Sequence, residues 1–141
     1  MEVQYMKQPE GLGAPLGRYS HVARSPRLGL VAIAGQVGLG ADGKLPGDGG
    51  LAAQVRKAFE NLKVALNAGG CEPSSILKTT TYLTSADLIE EFMDARADTF
   101  ADLFPDNTYP PNTLLIVSRL VEPELLVEVE ALAVYAPENS V

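Results

Sequence analysis

The sequence predicts an α+β fold, a mixed six-stranded sheet with two helices packed on one face, which is a sandwich of two layers. Three observations lead there. The elements run in the order strands, helix, strand, helix, two strands. Two segments, 51–68 and 87–104, place apolar residues at steps of three and four, the spacing of a helix with one apolar stripe. The run Leu125–Leu132 alternates Val127, Val129 and Ala131 with Glu128 and Glu130, the period-2 pattern of a strand buried on one side.

Taken in order, Val3 to Met6 reads as a short first strand, and Gly11–Gly17 as a loop from its glycine and proline density. A second strand begins over Tyr19 to Ala23 and is broken by Ser25-Pro26-Arg27. Leu28 to Val37 is nearly all apolar, as a strand covered on both faces would be. The glycines at 38, 40 and 43 invite a phosphate-loop reading. Their spacing does not match the dinucleotide fingerprint, no Gly-Lys-Ser/Thr closes the loop, and Asp42-Gly43 is a turn signal. Helix 51–68 carries Leu51, Val55, Phe59, Leu62 and Leu66 on one stripe, with Arg56, Lys57, Glu60 and Lys63 outside, and Gly69-Gly70 ends it. Cys71 follows that cap with no base or cationic cluster beside it, so it reads as incidental rather than nucleophilic.

Ser75 to Leu83 is rich in β-branched and aromatic residues and reads as a strand. Thr84-Ser85-Ala86-Asp87 fits a capping box opening the second helix, which Pro105-Asp106-Asn107 stops after Phe104. Leu88, Phe92, Ala95 and Thr99 share its inner face, flanked by Ile89, Met93, Phe100 and Leu103. Thr113–Val117 and Leu125–Tyr135 are the last two strands, and the tail from Ala136 to Val141 is expected to fray.

A chain of 141 residues points to one domain spanning 1–141, long enough to bury a core without staples. One cysteine excludes an intrachain disulfide, and one cysteine with one histidine, His21, cannot build a zinc site. No apolar run approaches the ~20 residues of a membrane helix, and Met1–Tyr5 lacks the features of a signal peptide. The expectation is a cytoplasmic protein without a membrane partner. The net charge of −7 repels a phosphate backbone, and the 11 lysines and arginines form no cluster, so nucleic acid is not expected as a partner. A sheet with helices on one face leaves the other bare, and the apolar Leu28–Ala34 stretch asks for cover there. Self-association is its simplest source.

Glu128 and Glu130 fall on one side of their strand, about 6.5–7 Å apart at strand rise. Glutamate is depleted in strands, so two on one face need a reason. One reason is a solvated outer face; the other is a cleft in which a carboxylate moves protons.

Five segments, in order, resemble the reactive-intermediate (imine/enamine) deaminase family of the RidA/YjgF type. They are Ala14-Pro15-Leu16-Gly17-Arg18-Tyr19-Ser20, Val31–Val37 with its Ala34-Gly35-Gln36, Ala58–Lys63, Lys78–Leu83, and Leu126–Ala131. The resemblance implies a chorismate-mutase-like fold and a homotrimer whose sheets line a central barrel, with clefts between subunits. It also implies cofactor-free hydrolysis of 2-imino or 2-enamino acids to 2-oxo acids and ammonia.

Carried over by motif, Glu128 matches the glutamate that handles water or the proton. Ala34 and Gly35 match the backbone segment at the cleft, and Tyr19 the tyrosine at its mouth. The family's carboxylate-clamping arginine follows a Pro-x pair; here Tyr109-Pro110-Pro111-Asn112-Thr113 puts Asn112 there. Arginine offers a charged, bidentate fork and asparagine one neutral amide. Losing a charge-assisted contact costs on the order of 2–4 kcal/mol, a few hundredfold in binding. Arg18, where the family usually has proline, either brings a guanidinium to the cleft beside Tyr19 or is a solvated loop charge. Two functions follow from the resemblance: hydrolytic deamination of an atypical imine or enamine, or a trimer that holds a small metabolite without turning it over.

Overall fold

The computed structural model describes residues 2–136; of the tail expected to fray, 137–141 lie outside the described residues. Six strands, β1 (Gln4–Met6), β2 (Val22–Ser25), β3 (Leu30–Val37), β4 (Ile76–Leu83), β5 (Asn112–Ile116) and β6 (Val127–Val134), form one sheet in the order β1-β2-β3-β6-β4-β5. Every pairing is antiparallel except β4 with β5. Helices α1 (Leu51–Ala68) and α2 (Ile89–Leu103) cover one face, as the order of elements predicts. No helix among the described residues is long and apolar enough to cross a membrane.

The core lies between the sheet and α1. Val127, Val129, Ala131 and Ala133 of β6, and Val31 and Ile33 of β3, meet Val55, Phe59, Leu62 and Leu66 of α1. The stripe on α1 is therefore the buried one, and the helix ends where the glycines end it: Gly70 has φ +84°, which an L side chain rarely adopts. Two polar residues share that stripe. Gln54 donates to the carbonyls of Gly49 and Glu124 and accepts from the Leu126 amide. Asn61 donates to the carbonyls of Val37 and Leu39. Both bind loops to the helix with buried, satisfied amides.

Three expectations change. The second helix opens with a 3₁₀ turn, Ala86–Leu88, in which the Ser85 hydroxyl accepts from the Asp87 amide, and becomes α-helical only at Ile89. Met93 faces solvent; Phe92 is the side chain that α2 buries. The third strand is covered on one face only: Val31 and Ile33 are buried, while Leu30 is 42% exposed and Ala32 lies open beside it. With Leu132 at 48% and Val134 at 42% exposure, these residues leave an apolar patch on the sheet's outer face.

Candidate active site

The site is built around an irregularity in β3. Ile33 pairs with Ala131 and Gln36 with Val129, so Ala34 and Gly35 together oppose the single residue Glu130. A bulge of this kind bends its strand and disrupts the ladder locally. β2 has ended by this point, and the segment 12–21 runs alongside instead, joined by the Ala34 amide donating to the His21 carbonyl at 2.9 Å. Behind the bulge, His21 and Gln36 are buried and hydrogen-bonded together. The Gln36 amide nitrogen donates to the Ala34 carbonyl, so it also donates to His21 Nδ1, and the Nε2–H of His21 goes to the Gly13 carbonyl. That chain of bonds fixes the bulge to the 12–21 segment. The sequence signal for it is slight: a lone histidine at 21 and, in an otherwise small and apolar strand, the polar Gln36.

On the outer side of the bulge lies a hollow of about 340 Å³ lined by Tyr19, Ala34, Gly35, Val37 and Glu128, with Leu16, Gly17 and Val121 at its edges. The Glu128 carboxylate lies directly over Gly35, and a β-carbon at position 35 would collide with it. Glycine is required there by close approach rather than by a turn. Burial pushes the Glu128 carboxyl above its ordinary range, and the neighbouring Glu130 charge adds to the rise. Among the described residues Glu128 has no side-chain hydrogen bond. Glu130 differs: it accepts the Tyr82 hydroxyl at 2.6 Å, and that bond, with some burial, pushes the Tyr82 phenol up to about 12. The two glutamates of one strand face thus have different surroundings, Glu128 half-buried over Gly35 and Glu130 held by the Tyr82 hydroxyl.

The remaining candidates lie elsewhere. Asn112 opens β5, two strands from β6, and its side-chain Oδ1 accepts both the Thr79 and Thr81 hydroxyls at 2.9 Å. Those threonines point toward the helices, so within one chain Asn112 is on the opposite side of the sheet from Glu128. Arg18 is exposed and does not line the hollow. The 38–43 loop engages its own amides: Gly40 with the Lys44 carbonyl, Gly43 with Gly40, and Lys44 with the Asp42 side chain. It is a turn rather than a phosphate cradle.

The fold is a two-layer α+β sandwich with a carboxylate set over a bulge glycine beside a hollow. The chain belongs to the family described as endoribonuclease L-PSP, matched over residues 11–135, which is the RidA/YjgF family its motifs resemble. It is 29% identical to the 2-iminobutanoate/2-iminopropanoate deaminase of Escherichia coli over 108 residues, covering 74% of this chain and 79% of that one. It is 27% identical to a RutC family protein of Pyrococcus horikoshii over 124 residues, covering 88% and 92%. Among solved structures, the YjgF gene product of Escherichia coli superposes with a TM-score of 0.81 at 24% identity, covering 94% of this chain and all of that one.

Proposed function

We propose that the protein is a hydrolytic deaminase that converts a reactive imine or enamine metabolite to a carbonyl compound and ammonia, at clefts between the subunits of a homotrimer. The observation that carries this reading is Glu128, half-buried over Gly35, without a hydrogen-bond partner among the described residues and with its carboxyl raised. Water adds its oxygen to the C=N carbon as the Glu128 carboxylate takes one water proton. The carboxyl returns that proton to nitrogen, giving a carbinolamine; the carboxylate then takes the proton of the new hydroxyl and passes it to nitrogen as the C–N bond breaks, so that ammonia leaves as the carbonyl forms. An enamine first takes a proton on carbon from the same carboxyl. A carboxyl with a raised pKa suits both directions of transfer near neutral pH. The Gly35 backbone, Ala34 and Tyr19 would border the substrate. The curated deaminase relatives and the bare apolar patch at Leu30, Leu132 and Val134 support the reading. Nucleic acid stays outside it because the chain is acidic, at −7, with dispersed cations.

Asn112 favours a second reading, a trimer that binds a metabolite without turnover. A neutral amide stands at the position that the resemblance gives to the clamping arginine, and in one chain it is engaged by Thr79 and Thr81. The substrate on the first reading is accordingly atypical, one that does not depend on a charged carboxylate clamp. Glu128→Gln separates the two. It keeps shape but cannot take a proton, so a deaminase loses about 10²–10⁴ in kcat, while a binding protein keeps its ligand affinity. An unchanged kcat in a folded Glu128→Gln protein would remove Glu128 from the chemistry, and a wild-type protein that binds ligand but turns over no imine or enamine would end the deaminase reading.

A further inference from the structure

Ala34, the first residue of the bulge, is gripped at both of its backbone polar groups. Its amide donates to the His21 carbonyl at 2.9 Å, and its carbonyl accepts from Gln36 Nε2 at 3.0 Å. A peptide unit is planar, so holding the Ala34 carbonyl toward Gln36 turns the Gly35 N–H away from it and sets the Gly35 Cα. The Glu128 carboxylate rests against that Cα, in the space a β-carbon would take. Gln36 does not line the Glu128 hollow; it acts on the site through the backbone it orients.

Gln36 is in turn held by His21. Its Nε2 carries two hydrogens, one given to Ala34 and the other to His21 Nδ1 at 3.1 Å. This requires an imidazole with a bare Nδ1 and its proton on Nε2, where it meets the Gly13 carbonyl at 3.0 Å. Gln36 is 3% and His21 8% exposed, so water does not readily replace a lost partner. A second proton on the ring sets N–H against N–H at Nδ1. Turning the Gln36 amide over would offer its oxygen to that N–H, but would put the same oxygen against the Ala34 carbonyl. Either Gln36 is pushed off His21 or it lets go of Ala34, and the bulge loses a tie in both cases. The surrounding groups do not relieve the conflict. Tyr19, edge-on to the ring at 5.9 Å, and Asp42 of the 38–43 loop border the hollow of about 360 Å³ that His21 lines. Helix α1 brings only the neutral Asn61 there, β3 brings no charge, and Lys7 meets His21 through its backbone carbonyl.

We infer that His21 and Gln36 are positioning residues for the Glu128 site, and that the site works only while His21 is neutral with its proton on Nε2. Protonation of His21 loosens the Ala34–Gly35 peptide, shifts Gly35 beneath the Glu128 carboxylate and lowers turnover. The inference rests on the deaminase reading above and adds to it a second titrating group, outside the cleft.

The test uses the full chain, whose single histidine makes its imidazole nitrogen signals in NMR unambiguous. Glu128→Gln is the background for this measurement, since it removes the titration of the carboxylate beside Gly35. Near neutral pH, Nδ1 should be unprotonated and Nε2 protonated. Between about pH 5 and 8, where imidazole titrates, the Ala34 and Gly35 amide signals should move with the His21 midpoint. Adding His21→Asn should abolish that movement. Turnover is read on imines generated in situ from alanine and leucine by an L-amino-acid oxidase, with spontaneous hydrolysis subtracted at each pH and a melt for each variant. Gln36→Leu should lower kcat by about tenfold to 10²-fold, the scale of a small misplacement, with little change in KM. His21→Asn keeps an acceptor for Gln36 in place of Nδ1 and cannot be protonated. It gives up the Gly13 bond, so kcat should drop a few-fold near neutral pH yet fall less steeply in acid than in wild type. The opposite tautomer, amides that ignore the His21 titration, profiles of one shape in wild type and His21→Asn, or an unchanged kcat in folded Gln36→Leu each overturn the inference. Amides that follow His21 in a protein that turns over no imine or enamine leave the grip on Ala34 standing and remove the deaminase. Turnover with amides that ignore His21 does the reverse.

Discussion

Strand β6 has two halves that are alike on one side and opposite on the other. Toward the helices, Val127 and Val129 in the first half and Ala131 and Ala133 in the second are all buried and apolar. Toward the bare face, the first half carries Glu128 and Glu130, and the second carries Leu132 and Val134 at 48% and 42% exposure. The bulge in β3 lies across from Glu130, at the junction of the halves. The covered side explains folding and does not distinguish them. The open side separates an acidic half from an apolar one. A half-buried carboxylate still reaches water, whereas exposed leucine and valine paired across strands to Leu30 and Ala32 ask for a partner surface.

The largest effect expected from breaking that contrast is at the apolar half. Leu132→Asp puts a charge into the patch and should convert a trimer to monomers. Light scattering at micromolar concentration reads the change, and a site between subunits would lose its turnover with it. A wild-type chain that scatters as a monomer would remove the assembly and leave the patch unexplained. At the acidic half, Gly35→Ala places a β-carbon where the Glu128 carboxylate lies. The carboxylate must move aside, and a misplacement of this size should lower kcat about 10²-fold while the melt shifts little. Turnover retained in Gly35→Ala would show that Glu128 works from another position or not at all.

Much of this was legible beforehand. Helix α1 is bounded as the periodicity and the Gly69-Gly70 pair dictate, and the alternation of β6 gives both its faces. The bulge was not legible, because a run of small and apolar residues from Leu30 to Val37 carries no mark of where pairing slips by one; only the glycine at 35 hints at it. Gln54 and Asn61 interrupt the apolar stripe of α1, a visible signal that polar groups there serve buried loop carbonyls and amides. Asn112 is the instructive case. Motif order sets it beside Glu128, yet one chain holds the two on opposite sides of the sheet, since motif order does not say which face of a strand a residue takes.

The smallest effect tests whether the two glutamates differ as their surroundings do. Glu128 is raised by burial first and by the Glu130 charge second, so its carboxyl binds a proton more tightly in the folded chain than in the unfolded one. Folding is then favoured as pH falls through the interval between the two values, and penalised as pH rises through it. Glu128→Gln carries no charge to desolvate and escapes the penalty. Thermal melts of wild type and Glu128→Gln should coincide near pH 4, where glutamate is largely protonated in both states, and diverge as pH rises, with the variant higher by on the order of a few degrees at most. Above the folded value the gap should stay constant. Glu130→Gln should not gain in this way, because it replaces the charged acceptor of the Tyr82 hydroxyl, a 2.6 Å bond, with a neutral one. Its Tyr82 phenol should instead titrate below the value of about 12 that Glu130 imposes, which phenolate absorbance reads directly. If both variants gain equally with pH, Glu128 and Glu130 share one solvated face, and the distinction between them, with the proton-transfer role built on it, does not hold.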